Sequence, residues 1–189
     1  MHSKLFLVVN EDRFFLSHRR EIALRAVQEG YDVTVVCKDT GQRSDIEDIG
    51  LHMLDLPINP TGEKPVQELH TMRFLYRLYR RERPDIVHHV GLKNILWGGL
   101  AARLARVGGV VNAVSGLGTL FIGDRLSIKA RAILLVLRLS NRSHNVVTIF
   151  QNHDDEQLFL NYKIVRPEQC VFIKGSGVNL NEYSFSPEP

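Results

Sequence analysis

Short apolar or β-branched runs alternate along the whole chain with longer stretches of helical periodicity or with turn residues. This alternation constrains the fold more than any other feature. Strand, helix and parallel strand in succession join by right-handed βαβ crossovers, which build an open sheet covered on both faces. The runs at 5–9, 32–37, 51–56, 84–90, 110–114, 145–150 and 170–173 read as strands. The first, Leu-Phe-Leu-Val-Val, is apolar at every position, as a strand buried on both sides requires. Helical spacing covers 14–29, 66–82, 94–106, 127–141 and 154–162. In the first of these, Ile22, Ala23, Ala26 and Val27 share a face, Arg19, Arg20, Glu21 and Arg25 lie largely around the other, and Gly30 supplies the stop. The predicted fold class is α/β: an open, mostly parallel, doubly wound Rossmann-like sheet of about seven strands. One domain is expected over residues 1–178, with a linker beginning at 179–189, where Pro187 and Pro189 resist regular structure.

The chain has 189 residues, 44% hydrophobic and 24% charged, which is enough apolar material for a core without covalent staples. Two cysteines, Cys37 and Cys170, make no disulfide framework and read as reduced thiols of a cytoplasmic protein. No Cys-x-x-Cys or His-x-x-x-His spacing suggests a metal site, and no metal is expected. No secretory signal is evident, and the longest apolar run, 132–137, is far shorter than the ~20 residues of a membrane span. The net charge is only +3, yet between Arg73 and Arg142 13 Lys and Arg stand against 3 Asp and Glu. A basic middle suits an anionic partner: phosphate, nucleic acid or acidic lipid. Nucleic acid fits poorly, because the arginines alternate with leucines and aromatics that a core needs and no recognition motif is present. The helix at 127–141, with Lys129, Arg131 and Arg138 on its polar side, reads either as a buried helix with basic edges or as one lying on an anionic membrane.

Ligands of such sheets bind beyond the C-terminal ends of the strands. Asn10, His88, Ser115, Gln151 and Gly175 follow strands and are the first candidates. The loop after the first strand has no glycine, which argues against a Gly-x-Gly-x-x-Gly dinucleotide site, and no Walker-type sequence is present. Ser17 and His18 stand near a helical first turn, where polar groups meet anions, or they are a plain surface cap. His88 and His89 are adjacent in a strand and point to opposite faces, so only one can face a given cleft. Lys93 could hold a phosphate as a flexible point charge, or be merely solvated. Ser115-Gly116-Leu-Gly118 and Gly175-Ser176-Gly177 allow close approach of backbone to a ligand.

Taken in order, several segments resemble the N-terminal half of the retaining glycosyltransferases of family four, of the two-domain GT-B type. They are Phe14-Phe-Leu-Ser-His-Arg19, Gly30-Tyr-Asp-Val-Thr-Val35, Pro84-Asp-Ile-Val-His-His-Val-Gly-Leu-Lys93 and Gly99-Leu-Ala-Ala-Arg103. They continue with Val111-Asn-Ala-Val-Ser-Gly-Leu-Gly-Thr-Leu-Phe121, Phe150-Gln-Asn152 and Gly175-Ser-Gly-Val-Asn179. The nearest branch extends lipid-linked sugars for capsule, O-antigen or related glycans. The resemblance implies that this half binds the acceptor. A second, C-terminal domain outside the chain would hold most of the nucleotide-sugar site, and neither metal nor cofactor is needed. It implies substrate contacts from Asn10, His18, Arg19, Lys93, Ser115, Gly116, Gly118 and Asn152, with Gly175, Ser176 and Gly177 on the side of the donor phosphates. His88 matches the first position of the family's His-x-His strand end and is the catalytic candidate. The second position is Val90 here, and His89 is a substitute on the opposite face. The implied partners are a nucleotide sugar, a polyprenyl-diphosphate glycan and the inner face of the cytoplasmic membrane. The alternative is a non-catalytic α/β module that binds an anionic ligand or a protein.

Overall fold

The computed structural model describes residues 2–60, 64–116 and 128–177; Gly118 and the expected linker at 179–189 lie outside the described residues. The elements are β1 (Lys4–Glu11), α1 (Asp12–His18), α2 (Arg20–Gln28), β2 (Asp32–Lys38), α3 (Arg43–Asp48), β3 (His52–Asp55), α4 (Pro65–Glu82) and β4 (Ile86–Val90). They continue with α5 (Leu92–Ala105), β5 (Gly109–Val114), α6 (Ile128–Asn141), β6 (Val146–Phe150), α7 (His153–Asn161), a 3-10 turn (Pro167–Gln169) and β7 (Cys170–Phe172). The seven strands pair in the order β3-β2-β1-β4-β5-β6-β7, every pair parallel. The order reverses between β1 and β4, so the loops leaving these strands diverge and open a crevice at the C-terminal edge of the sheet.

Alternation along β1 divides the core. Leu5, Leu7 and Val9 pack in one layer with Phe15, Ala23 and Ile46, while Phe6 and Val8 pack in the other with Leu75, Leu78, Tyr79 and Ala102. Helices α1, α2 and α3 therefore cover one face, and α4 and α5 the other. A third cluster joins Ile95, Val114, Leu134, Leu137, Phe150 and Phe159 beneath α6 and α7.

Two local expectations change. The single helix expected over 14–29 is two, broken at Arg19, whose backbone (φ −128°, ψ −7°) leaves the helical region. Arg19 N–H still closes α1 on the Phe15 carbonyl, and the Arg19 carbonyl opens α2 by accepting from Ala23. Arg19 is thus not on a solvated face: only 3% of it is exposed. The short helix α3 was not expected from the sequence; it has six residues, of which Ile46 alone is buried, too few to set a periodicity.

Candidate functional site

The C-terminal edge is assembled from the ends of β1, β4 and β5. Asn94, in the first turn of α5, donates from Nδ2 to Asn10 Oδ1 and to the Val90 carbonyl, both at 2.8 Å, tying β1 to β4. Between them Gly91 takes φ +85°, and a Cβ there would lie 3.8 Å from Asn10 Nδ2 and 3.9 Å from Ser115 Oγ. Asn10, Gly91 and Ser115 therefore meet at the mouth of the crevice. Gly116 follows, exposed, at φ +118°.

Beside this mouth Asp12 is fully buried and accepts from Thr40 N (2.6 Å), Gln42 N (3.0 Å), Arg13 N (2.7 Å) and the Thr40 hydroxyl. Burial alone would raise its pKa, but these hydrogen bonds hold it below the ordinary carboxylate value. Asp12 clamps the loop after β1 to the loop after β2. Sequence reasoning missed it, because an aspartate just after a strand looks like any helix-entry residue.

Arg19 reaches toward the same edge from the break between α1 and α2. Its Nη1 donates to Ser176 Oγ at 2.7 Å and to the His18 carbonyl at 3.3 Å, and its guanidinium lies 5.9 Å from the centre of the Phe14 ring. Burial holds its pKa below the usual arginine value. Ser176 belongs to the exposed turn after β7, where Gly175 and Gly177 take φ +66° and +71°. This turn reaches back along the edge to Arg19. His18 stays at the exposed rim, stacked on Phe14 at 4.6 Å and bonded to Ser17 Oγ at 2.6 Å.

The two histidines of β4 separate as strand geometry requires. His88 shares the α1 and α2 face with Val90 and Ile86, is 8% exposed, and is pushed down to about 3 by burial, then by the Arg19 and His89 charges. It is a neutral imidazole. His89 lies beneath α5 on the other face, in a chain of buried hydrogen bonds. Tyr79 OH meets Nε2 at 3.0 Å, Nδ1 meets Asn112 Oδ1 at 3.0 Å, and Asn112 Nδ2 donates to Asn141 Oδ1 at 2.9 Å. An amide oxygen only accepts, so Nδ1 carries the proton and Nε2 receives the Tyr79 hydroxyl. Both ring nitrogens of His89 are spoken for, and the residue serves packing rather than the crevice.

Two other candidates are engaged locally. Lys93 Nζ pairs with Glu68 Oε1 and donates to the Asn59 carbonyl, each at 2.8 Å, and Trp97 Nε1 donates to the second Glu68 oxygen. It is therefore not a loose point charge. Asn152 caps α7, accepting from Asp155 N at 2.8 Å and donating to Asp155 Oδ2 at 2.9 Å. A cavity of about 250 Å³, lined by Arg103, Arg106, Ser140, Ser143 and Asn145, lies at the starts of β5 and β6. It is at the opposite ends of the strands from Asn10 and Ser115 and belongs to a different surface. Among the described residues no group of three or more His, Cys, Asp or Glu could hold a metal ion, and no helix is long and apolar enough to cross a membrane.

The edge thus gathers neutral amides, a hydroxyl pair, a neutral imidazole and one buried cation. Chemically, that set could hold a polar, anionic molecule by donating hydrogen bonds.

The chain is 25% identical over 97% of its length to the UDP-Gal:α-D-GlcNAc-diphosphoundecaprenol α-1,3-galactosyltransferase of Escherichia coli, and spans 47% of that relative. Among solved structures it resembles Anabaena HepE in complex with UDP and glucose (TM-score 0.65, 17% identity, 98% of this chain and 47% of that one). It also resembles Acinetobacter baumannii MurG (TM-score 0.58, 13% identity, 95% of this chain and 47% of that one). The chain therefore spans about half the length of the proteins it matches. These structural likenesses establish the Rossmann-like fold of one half of a GT-B protein. The sequence of residues 4–152 matches the glycosyl transferase 4-like family, and the chain belongs to that family.

Proposed function

We propose that this chain is the N-terminal, acceptor-side half of a retaining glycosyltransferase. The enzyme passes a hexose from a nucleotide sugar to a growing glycan carried on a polyprenyl diphosphate, in the assembly of capsule, O-antigen or exopolysaccharide. The observation that carries this reading is the alignment, through nearly the whole chain, with a galactosyltransferase whose acceptor is a sugar on diphosphoundecaprenol. A C-terminal domain outside this chain completes the crevice and supplies most of the donor site, without a metal. Asn10, Ser115 and Gly116 face the acceptor sugar, and the Gly175–Gly177 turn faces the donor phosphates. His88, kept neutral, donates or accepts a hydrogen bond at the transferring sugar.

The reaction takes place at the inner face of the cytoplasmic membrane, with the protein peripheral to it. The outward stripe of α6 supports this placement. Ile128, Leu135 and Leu139 are 87%, 56% and 40% exposed, and they stand beside exposed Arg131, Arg138 and Arg142. No acidic residue occurs from 128 to 142. An apolar stripe with basic flanks suits an anionic bilayer, where each surface cation contributes about 1 kcal/mol.

The test is transfer by the complete open reading frame from a panel of UDP-sugars to a prenyl-diphosphate-linked sugar, with the anomeric configuration of the product read by NMR. A retained configuration is expected. An inverted product removes the retaining mechanism, and no transfer with any donor removes the enzyme. Turnover by the 189-residue chain alone would show that it is not half of a site. Binding to anionic vesicles is expected to weaken at high salt and in Leu135→Glu; binding indifferent to both refutes the membrane placement.

A further inference from the structure

Among the described residues, four buried side-chain atoms lack a hydrogen-bond partner: Arg19 Nε, His88 Nε2, Asn94 Oδ1 and Thr148 Oγ1. Thr148 shares the α4 and α5 face with Val146, whereas His88 is on the opposite face, which α1 and α2 cover, Arg19 stands at the break between those two helices, and Asn94 opens α5 at the C-terminal edge. A buried polar group is almost always paired, by protein, water or ligand, so orphans on one covered face of the sheet point to a missing partner.

Arg19 states the chemistry of that partner. A guanidinium taken out of water is costly unless an anion lies against it. Every contact that Arg19 makes among the described residues is neutral: the Ser176 hydroxyl, the His18 carbonyl and the face of Phe14. Among the described residues it has no carboxylate partner, whereas Arg20, Arg25, Arg43, Arg81 and Arg166, all far more exposed, each pair with one. The most buried Lys or Arg among the described residues is thus left unneutralised. His88 lies on the face of the sheet that α1 and α2 cover, the layer in which Arg19 is buried, and presents a second unused nitrogen. The exposed Gly175–Gly177 turn borders the guanidinium through Ser176, so a ligand at the edge can reach it without a path through the core.

We propose that Arg19, His88 and the Gly175–Gly177 turn form a seat for a phosphoryl group, with Arg19 Nε and His88 Nε2 donating to its oxygens and the Ser176 hydroxyl beside them. A tetrahedral oxyanion has enough acceptor oxygens to take donors from two side chains that arrive from different elements, and guanidinium–phosphate bonds are among the stronger charge-assisted pairs. The seat stands on geometry alone; only the carrier of the phosphoryl group rests on the glycosyltransferase reading. That reading supplies two carriers, the diphosphate of a nucleotide sugar and the diphosphate of a lipid-linked acceptor.

The experiment is a titration of the ¹⁵N-labelled 189-residue chain with inorganic pyrophosphate, UDP and farnesyl diphosphate, followed on the arginine Nε–H and histidine ring signals. The Arg19 signal, assigned by its loss in Arg19→Lys, is expected to move saturably with pyrophosphate. Arg19→Lys should weaken that binding about tenfold or more, and His88→Gln by a smaller factor. Ser176→Ala alters a partly exposed hydroxyl and keeps the test open if the buried variants misfold. It should shift the Arg19 signal and weaken pyrophosphate. UDP binding tighter than farnesyl diphosphate assigns the seat to the donor, and the reverse assigns it to the acceptor. An Arg19 signal that stays still at saturating pyrophosphate overturns the seat, as does equal affinity in wild type, Arg19→Lys and His88→Gln. Sugar transfer by the longer enzyme with no dependence on Arg19 would remove the seat and leave the glycosyltransferase reading standing. A working seat in a protein that transfers no sugar would do the opposite.

Discussion

Tyr79 and His89 share a hydrogen bond of 3.0 Å in the fully buried layer between the sheet and α4 and α5. It fixes the tautomer of the imidazole, and the imidazole in turn fixes how closely α5 can approach. A Cβ on Gly98 would lie 2.5 Å from His89 Cδ2, so only glycine lets the helix rest on that ring. Gly98→Ala is expected to destabilise the fold by about 1–3 kcal/mol through overpacking. Tyr79→Phe should cost about 1–3 kcal/mol by stranding Nε2. Urea unfolding measures both, and a Gly98→Ala protein as stable as wild type would refute the contact.

The pH dependence of stability follows from both histidines. Burial pushes His88 down to about 3 and His89 down to about 4, the latter partly offset by its bond to Asn112. Each ring is neutral in the fold and takes up its proton only on unfolding. Stability is therefore complete above the unfolded histidine value of about 6.5 and is lost as pH falls toward 4. Each histidine contributes a slope of about 1.4 kcal/mol per pH unit in that window. His88→Gln should roughly halve the slope. A urea midpoint that stays flat between pH 6.5 and pH 4.5 would contradict the burial of both rings.

Asp12 is the third testable point. Four donors converge on its carboxylate, three of them from the loop after β2. Asp12→Ala strands backbone N–H groups in a buried position and should cost about 2–4 kcal/mol, more than a typical surface substitution. Asp12→Asn keeps the shape but exchanges one acceptor for a donor facing other donors, and should recover little. Thermal melts of the two variants decide the point: full recovery by asparagine would mean that the charge is unimportant.

Lys93 provides a contrast with Arg19. Its ammonium is already neutralised by Glu68, in a pair whose side chains are only 24% and 13% exposed. Lys93→Met should leave pyrophosphate affinity within about twofold of wild type and lower stability by about 1 kcal/mol, because it unpairs a partly buried carboxylate. Calorimetric titration reads the first quantity and urea unfolding the second. A large loss of pyrophosphate affinity in Lys93→Met would reassign the anion contact from Arg19 to Lys93.

The strands were legible because burial on both faces leaves its mark on every residue of a run, as in residues 5–9. Alternation alone separated His88 from His89, which lie on opposite faces of the sheet, His89 against the Gly98 backbone of α5. The break at Arg19 was not legible. Within its own stretch Arg19 keeps company with Arg20, Glu21 and Arg25, and nothing local says that it turns inward. What decides it is Ser176, 157 positions away. The ion pair of Lys93 was hidden for the same reason, since its partner Glu68 lies 25 positions earlier on another helix. Local pattern reports which face a residue is on, but a long side chain can leave that face for a distant partner.

The bond between Arg19 and Ser176 also orders events in time. The arginine leaves the ribosome 157 residues before the serine that holds it. At about 5–20 residues per second, roughly ten to thirty seconds separate the two. Through that interval β1 and α1 can be in place while the guanidinium still has no clasp. The phosphoryl seat is thus among the last features of this chain to be completed, however early its first residue is made.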